Sequence, residues 1–308
     1  MIKNNSKQIN LLDIAIITKG ILEERLHKKT ISQAGGLGSD FTSTTIGWCS
    51  DDNIALLDMV ETGAILVSKS VYTSRSGSRS GPMLIGVDNP RRAFAVILSA
   101  FFVDDTKWGS IAASANIDKS VSFDNDTVNF GHNVVIEADV SIGDHVIIGH
   151  NSVIRSGTEI KQNVCIGSNC TIGAVGFGYE MAEDGLYEVI PHIGNVVLEK
   201  NVEIGNNVCI DRAVLGSTFV DENVKIDNLV HISHGVRIGK NSLVIAHSMI
   251  AGSVQVGEGV WIAPCSAIRQ KLKIADNALV GLGSVVVKDV EAGDTVAGVP
   301  ARSLSKKK

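Results

Sequence analysis

The sequence predicts a mainly β protein: a left-handed parallel β-helix of hexapeptide repeats, preceded by a small α/β domain. Three observations predict it. A six-residue period with Ile or Val at its first position runs from about Ile111 to about Val285. Aromatic residues make up only 5% of the chain, against 31 glycines and 5 prolines, which suits narrow stacked coils filled by small and β-branched side chains. The stretch before residue 106 lacks the period and reads as buried strands and a helix.

The repeat is unbroken from Ile226: IDNLVH, ISHGVR, IGKNSL, VIAHSM, IAGSVQ, VGEGVW, IAPCSA, IRQKLK, IADNAL, VGLGSV. The same register holds from Phe130 to Thr171, as FGHNVV, IEADVS, IGDHVI, IGHNSV, IRSGTE, IKQNVC and IGSNCT. Each hexad supplies one short strand and a turn, and three hexads close a triangular coil. Residue i then stacks on residue i+18, with the aliphatic openers pointing inward. Small residues at the second position are expected to permit the tight corner. Parallel stacking satisfies the backbone between coils. No single coil buries its own apolar face, so stability needs the whole array.

Two interruptions break the period, one from about Gly173 to His192 and a short one around Gly216 to Phe219. Such insertions leave a solenoid as surface loops and often build its binding face. In the first domain, Ala64–Lys69 and Pro82–Val87 read as strands, and the Ser/Gly-rich run between them as a mobile loop. Asn89 before Pro90 reads as a helix start, the helix running on through Phe102. The expected divisions are 1–106, an α/β domain; 107–303, the β-helix; and 304–308, a basic tail.

A net charge of -5 gives no general case for nucleic acid. The five cysteines (Cys49, Cys165, Cys170, Cys209 and Cys265) are odd in number and loosely spaced. That argues against a disulfide framework or zinc site, and a reducing cytoplasm is the default compartment. The N-terminus reads as neither signal peptide nor membrane span.

Within ISHGVR, His234 follows the inward Ile232 and Ser233 and therefore projects outward. Gly252 should stack beside it one coil on, leaving room for the imidazole and offering a bare backbone N–H. A general base near a backbone oxyanion donor is the minimum equipment for acyl transfer. Asp227 is a candidate third group to orient the imidazole. Outward residues on a flat wall lack concavity, so a homotrimer with sites between subunits is expected. At the C-terminal cap, Lys288 and Arg302 are candidates for the phosphates of a donor such as coenzyme A. His132 and His150 should also stack, but no third ligand accompanies them and no metal site is expected.

The segment from Gly173 to Gly239, with its GFGY loop, EVIPHIG return, IDRA turn and IDN-xxx-ISH-x-VRIG run, closely resembles the UDP-3-O-acylglucosamine N-acyltransferase family of lipid A biosynthesis. The resemblance extends over roughly residues 30 to 285. It implies transfer of a 3-hydroxyacyl chain from acyl carrier protein to an amino group of a UDP-glucosamine derivative, with no permanently bound cofactor. By that likeness His234 is the base, Asp227 its supporting carboxylate and Gly252 the oxyanion position. The same likeness puts Phe177 and Tyr179 in the loop bordering the substrate cleft and Trp48 in the uridine-binding domain. Asn228, His231 and His247 are further candidate substrate contacts, His247 adding a second imidazole where a small residue is common in the family. The chain departs from the family pattern at IGWCSDDN, where Trp48 is the only aromatic, and it stops at Lys308 without the C-terminal helices that engage the carrier protein. Its ending, Gly298 to Arg302, is similar to that of acetyl-coenzyme A-dependent sugar acetyltransferases. The donor is therefore acyl carrier protein or a coenzyme A thioester. A short-acyl enzyme of surface-polysaccharide synthesis stands as the alternative, and a non-enzymatic trimeric scaffold as a third reading.

Overall fold

The computed structural model describes residues 2–3, 8–38, 40–77, 81–104 and 106–304. The lysines at 306–308 lie outside the described residues. The chain forms two compact units, 1–106 and 107–308.

The first unit is built on a five-stranded sheet. Its strands Gln33–Ala34, Thr45–Trp48, Ala64–Ser68 and Met83–Val87 run parallel, while Ile2–Lys3 pairs antiparallel at the edge. Helix Pro90–Ile97 begins where the sequence indicates: the Asn89 side chain accepts from the Arg92 N–H at 3.0 Å, with Pro90 in the first turn. Beyond it Leu98–Phe102 loosens into a π-type turn. The run after Ser68 is no loop at first. Lys69–Arg75 is helical, capped by the Ser68 hydroxyl on the Val71 N–H, and it buries Val71 and Tyr72. Its serines and threonines hide an apolar i, i+1 pair too short to register as a period.

The second unit is a parallel β-helix with three sheets of eleven, nine and seven strands. Most strands are two residues long, and from Asn129–Phe130 to Val285–Val286 one residue of each such pair is inward and buried. The result is a continuous core of Val and Ile, from Val128 to Val296. Coils pair with an offset of 18 residues, as in Ile232↔Ile250 and Ile250↔Ile268. The offset rises to 38 across the first interruption (Ile166↔Ile204) and 22 across the second (Ile210↔Ile232). Twenty and four residues are thus expelled with the stacking intact. The four sit in the turn before strand Ser217–Val220, slightly earlier than the sequence suggests.

The corner chemistry differs from expectation. The left-handed turn falls on the fourth position of the hexad, not the second. Asn133, Asn151, Asn163, Asn201 and Asn241 have φ of 57–60°, and Gly157, Gly235 and Gly283 share the role. Asn tolerates this region because its short side chain bonds locally, and Gly because it has no Cβ. At the second position glycine answers a different need. A Cβ on Gly149 or Gly239 would stand 2.6 Å from backbone carbon of the next coil. The small second residue lets coils stack, and Asn or Gly at the fourth position turns most of the corners.

Candidate active site

His234 occupies the third hexad position and is half-buried. Two glycines enclose it. A Cβ on Gly252 would stand 2.7 Å from His234 Nε2, and one on Gly176 would stand 3.0 Å from His234 Nδ1. Gly252 comes from the next coil, locked in place by the Ser253 N–H donating to the His234 carbonyl at 2.9 Å. Within the described residues the Gly252 N–H finds no acceptor. Burial first, and then the neighbouring His192, push the His234 imidazole below the ordinary histidine value. The ring is thus set up as a neutral base beside an unused backbone donor.

Gly176 belongs to the first expelled loop. That loop returns on itself as a hairpin, Tyr179–Met181 paired antiparallel with Tyr187–Val189. Phe177 and Tyr179 lie 4.9 Å apart, centroid to centroid, and Phe177 is 86% exposed. The loop closes at His192, a residue that pattern reading passed over. It is only 7% exposed, and its ring meets that of His234 edge-on at 5.3 Å. Its Nδ1 lies 2.7 Å from the Ile190 carbonyl. The signal available for it was a lone histidine closing the interruption, following Pro191, with nothing in the period to place it.

Asp227 is not joined to His234 within the protomer. Its Oδ1 accepts from the N–H and side-chain amide of Asn228, both at 2.7 Å, and its Oδ2 from the Ala246 N–H at 3.2 Å. It pins the coil rather than the imidazole. Asn228 in turn accepts from the Asn206 backbone and side chain at 2.8 and 2.9 Å. His247 sits exposed on the left-handed turn of that same corner, φ 61°, stacked a coil beyond Leu229. Asn228 and His247 therefore share one corner of the triangle, and His234 and Gly252 occupy the next. His231 meets a buried carboxylate that the sequence did not single out: its Nε2 is 3.5 Å from Asp211 Oδ2 and 3.1 Å from Ser233 Oγ. Burial raises the Asp211 carboxyl, while His231 and His192 pull it back.

Lys288 stands in the His234 column. The ladder Ile232↔Ile250, Ile250↔Ile268 and Ile268↔Val286 puts it three coils on, about 14 Å away at the usual strand spacing. Lys288 and Arg302 line one cavity of about 220 Å³, but Asp289, Glu291 and Asp294 line it too, so it is not the purely cationic cradle expected for phosphates. Trp48 ends a central strand of the first unit, half-buried against its core. Elsewhere on the β-helix, His132 and His150 stack at 5.5 Å, with Ser114 on His132. Among the described residues no group of three or more His, Cys, Asp or Glu is placed to hold a metal, and no helix is long and apolar enough to cross a membrane.

The repeat matches the family model of bacterial transferase hexapeptides (six repeats) over residues 125–156 and 139–174. Solved structures share the left-handed helix. A UDP-N-acetylglucosamine acyltransferase from Campylobacter jejuni superposes with TM-score 0.55 at 22% identity, over 63% of this chain and 73% of that one. The Francisella novicida counterpart gives 0.56 at 23%, over 62% and 68%. These likenesses establish the fold. Sequence goes further. UDP-3-O-acylglucosamine N-acyltransferase 1 of Legionella pneumophila (strain Paris) is 38% identical over 259 residues, 78% of this chain and 71% of the relative. A UDP-3-O-acylglucosamine N-acyltransferase of Campylobacter lari is 42% identical over 211 residues, 61% of each chain. With a histidine and a glycine paired on a hexapeptide solenoid, and relatives of this likeness spanning most of both chains, the chain belongs to the UDP-3-O-acylglucosamine N-acyltransferase family.

Proposed function

We propose that this protein transfers an acyl group from a phosphopantetheine thioester to the amino group of a UDP-activated 3-O-acylated glucosamine, the acceptor its relatives are named for. The observation that carries the reading is the placement of a desolvated His234 between Gly252 and the Gly176 loop. His234 takes the proton of the attacking amine as nitrogen adds to the thioester carbonyl. The Gly252 N–H faces the oxyanion. Collapse breaks the C–S bond, and the thiol leaves with the proton from His234. The base contributes about 10²–10⁴-fold and an oxyanion donor about 10²–10³-fold.

We place the acceptor against Phe177 and Tyr179, whose exposed rings suit a sugar bearing an acyl chain. Trp48 is assigned to the nucleotide, because ligands of parallel sheets gather at the carboxyl ends of the strands. Asn228 and His247 complete the site only if a neighbouring copy brings its corner to His234, while His231 faces Asp211. We therefore assign the protein a homotrimeric state with active sites between subunits. Asp227 then supports His234 through the coil it pins, rather than by contact. A thioester arm laid along the column of His234 would pass Lys288 on its way out. The five cysteines are free thiols, in keeping with a cytoplasmic enzyme.

The test is a donor panel with the purified protein and UDP-3-O-acylglucosamine, comparing 3-hydroxyacyl carrier protein with acetyl-coenzyme A by mass spectrometry. Transfer from the carrier protein is expected, together with a loss of at least about 10²-fold in His234→Ala at unchanged oligomeric state. Transfer from neither donor would overturn the reading, and transfer from acetyl-coenzyme A alone would replace the donor.

A further inference from the structure

The loop that covers His234 also brings a second imidazole against it. His192 and His234 meet edge-to-face, planes 82° apart. Three ring nitrogens define the contact. His192 Nδ1 lies 2.7 Å from the Ile190 carbonyl. A carbonyl oxygen only accepts, so that nitrogen carries the proton. In the neutral ring, His192 Nε2 is then a lone pair. Both His192 Nε2 and His234 Nδ1 are buried without a hydrogen-bond partner. The two nitrogens flank one spot without a hydrogen bond between them: the point a Gly176 Cβ would occupy is 2.9 Å from the first and 3.0 Å from the second.

Two lone pairs buried around one desolvated spot repel each other. A lone pair facing an N–H is attractive, and low dielectric sharpens the difference. The arrangement therefore favours the His234 tautomer with the proton on Nδ1. That leaves the Nε2 lone pair on the side of Gly252, where the reacting carbonyl must sit. The buried carboxylate nearby does not take this role, since Asp211 meets His231, and Asp227 is engaged with Asn228 and Ala246.

We propose that His192 is a positioning residue that sets the tautomer of His234, holding its proton on Nδ1 so that Nε2 is the catalytic base. This rests on the acyl-transfer reading for its kinetic consequence, but not for its structural one. Glycine at 176 follows from the same geometry, because any side chain there would part the two rings.

The experiment separates the two. In ¹⁵N-labelled protein at a pH where both rings are neutral, long-range ¹⁵N–¹H correlations distinguish a protonated from an unprotonated ring nitrogen without any turnover. His234 is expected to show Nδ1–H and a bare Nε2. Observation of Nε2–H in the wild-type protein would overturn the proposal, whether or not the enzyme is active. Two variants then test the cause. His192→Gln keeps an acceptor while losing ring volume, and His192→Phe keeps the ring volume while losing the acceptor. Gln is expected to retain the tautomer and most of kcat. Phe is expected to lower kcat roughly 10- to 100-fold at nearly unchanged KM, with His234 shifting toward the other tautomer. The reverse order, Phe active and Gln impaired, would make His192 a packing residue only. A wild-type protein with the expected tautomer but no transfer would leave the positioning intact and sink the reading of function instead.

Discussion

The imidazole of His234 rests against the backbone of Gly252 so closely that a single methyl group there would stand 2.7 Å from Nε2. Gly252 has no left-handed φ, so Ala fits its backbone and only the ring must move. Gly252→Ala is expected to lower kcat by about 10²-fold or more while changing the melting temperature by only a few degrees, since one displaced half-exposed ring is the whole disturbance. Steady-state kinetics beside a thermal melt checks it. Equal loss of activity and of folding would deny the glycine its special place.

Gly176 constrains the same ring from the opposite side. A Cβ there meets His192 Nε2 at 2.9 Å and His234 Nδ1 at 3.0 Å. Gly176→Ala should lower kcat/KM about tenfold or more through misplacement of the base, with the β-helix core unchanged, because the loop lies outside the stacking register. A circular dichroism melt superposable on wild type, combined with the kinetic loss, is the expected pair of results.

The depressed pKa of His234 acts on both activity and stability. Only the neutral base accepts a proton, so kcat/KM should fall as pH falls, with a midpoint below the ordinary 6.5. For stability, the unfolded chain binds the proton first, so stability is full above 6.5 and declines as pH drops toward the folded value. Asp211 runs the other way: its raised carboxyl pKa gives a contribution present below 3.8 and lost as pH rises through the folded value. Asp211→Asn should therefore flatten the loss on the rising side. Melting temperature against pH for both proteins measures it.

The two glycine positions of the hexad predict opposite tolerances. Gly167→Ala drives its Cβ into the Gly205 carbonyl of the next coil, and overpacking of this kind costs about 1–3 kcal/mol. Gly283→Asn, on a left-handed turn with φ 64° and nothing within 4 Å, should be nearly neutral, since Asn fills that turn throughout the helix. Urea denaturation of both variants decides between them.

The solenoid was readable because its period is local. One opener per hexad states where the chain points inward, and Ile232↔Ile250 follows from counting. Counting also sufficed to put Gly252 beside His234. It could not supply His192, because that residue reaches the site through a loop whose path no period describes. Nor could it assign Asp227, whose carboxylate had nearer donors in Asn228 and Ala246 than the ring seven residues on. The helix Lys69–Arg75 escaped for a related reason: its serines and threonines read as loop composition, and only packing against the sheet reveals Val71 and Tyr72 as its buried face.

Ile166 pairs directly with Ile204, although the hairpin bearing Phe177 and Tyr179 lies between them in the chain. The scaffold does not register the excursion. The hairpin itself is therefore free of the stacking register, while the two ends of the excursion, Gly176 and His192, are held against the ring of His234 on the coils. The candidate site is thus assembled from two parts under different constraints, one bound to the period of the coils and one set only by where it leaves and rejoins them.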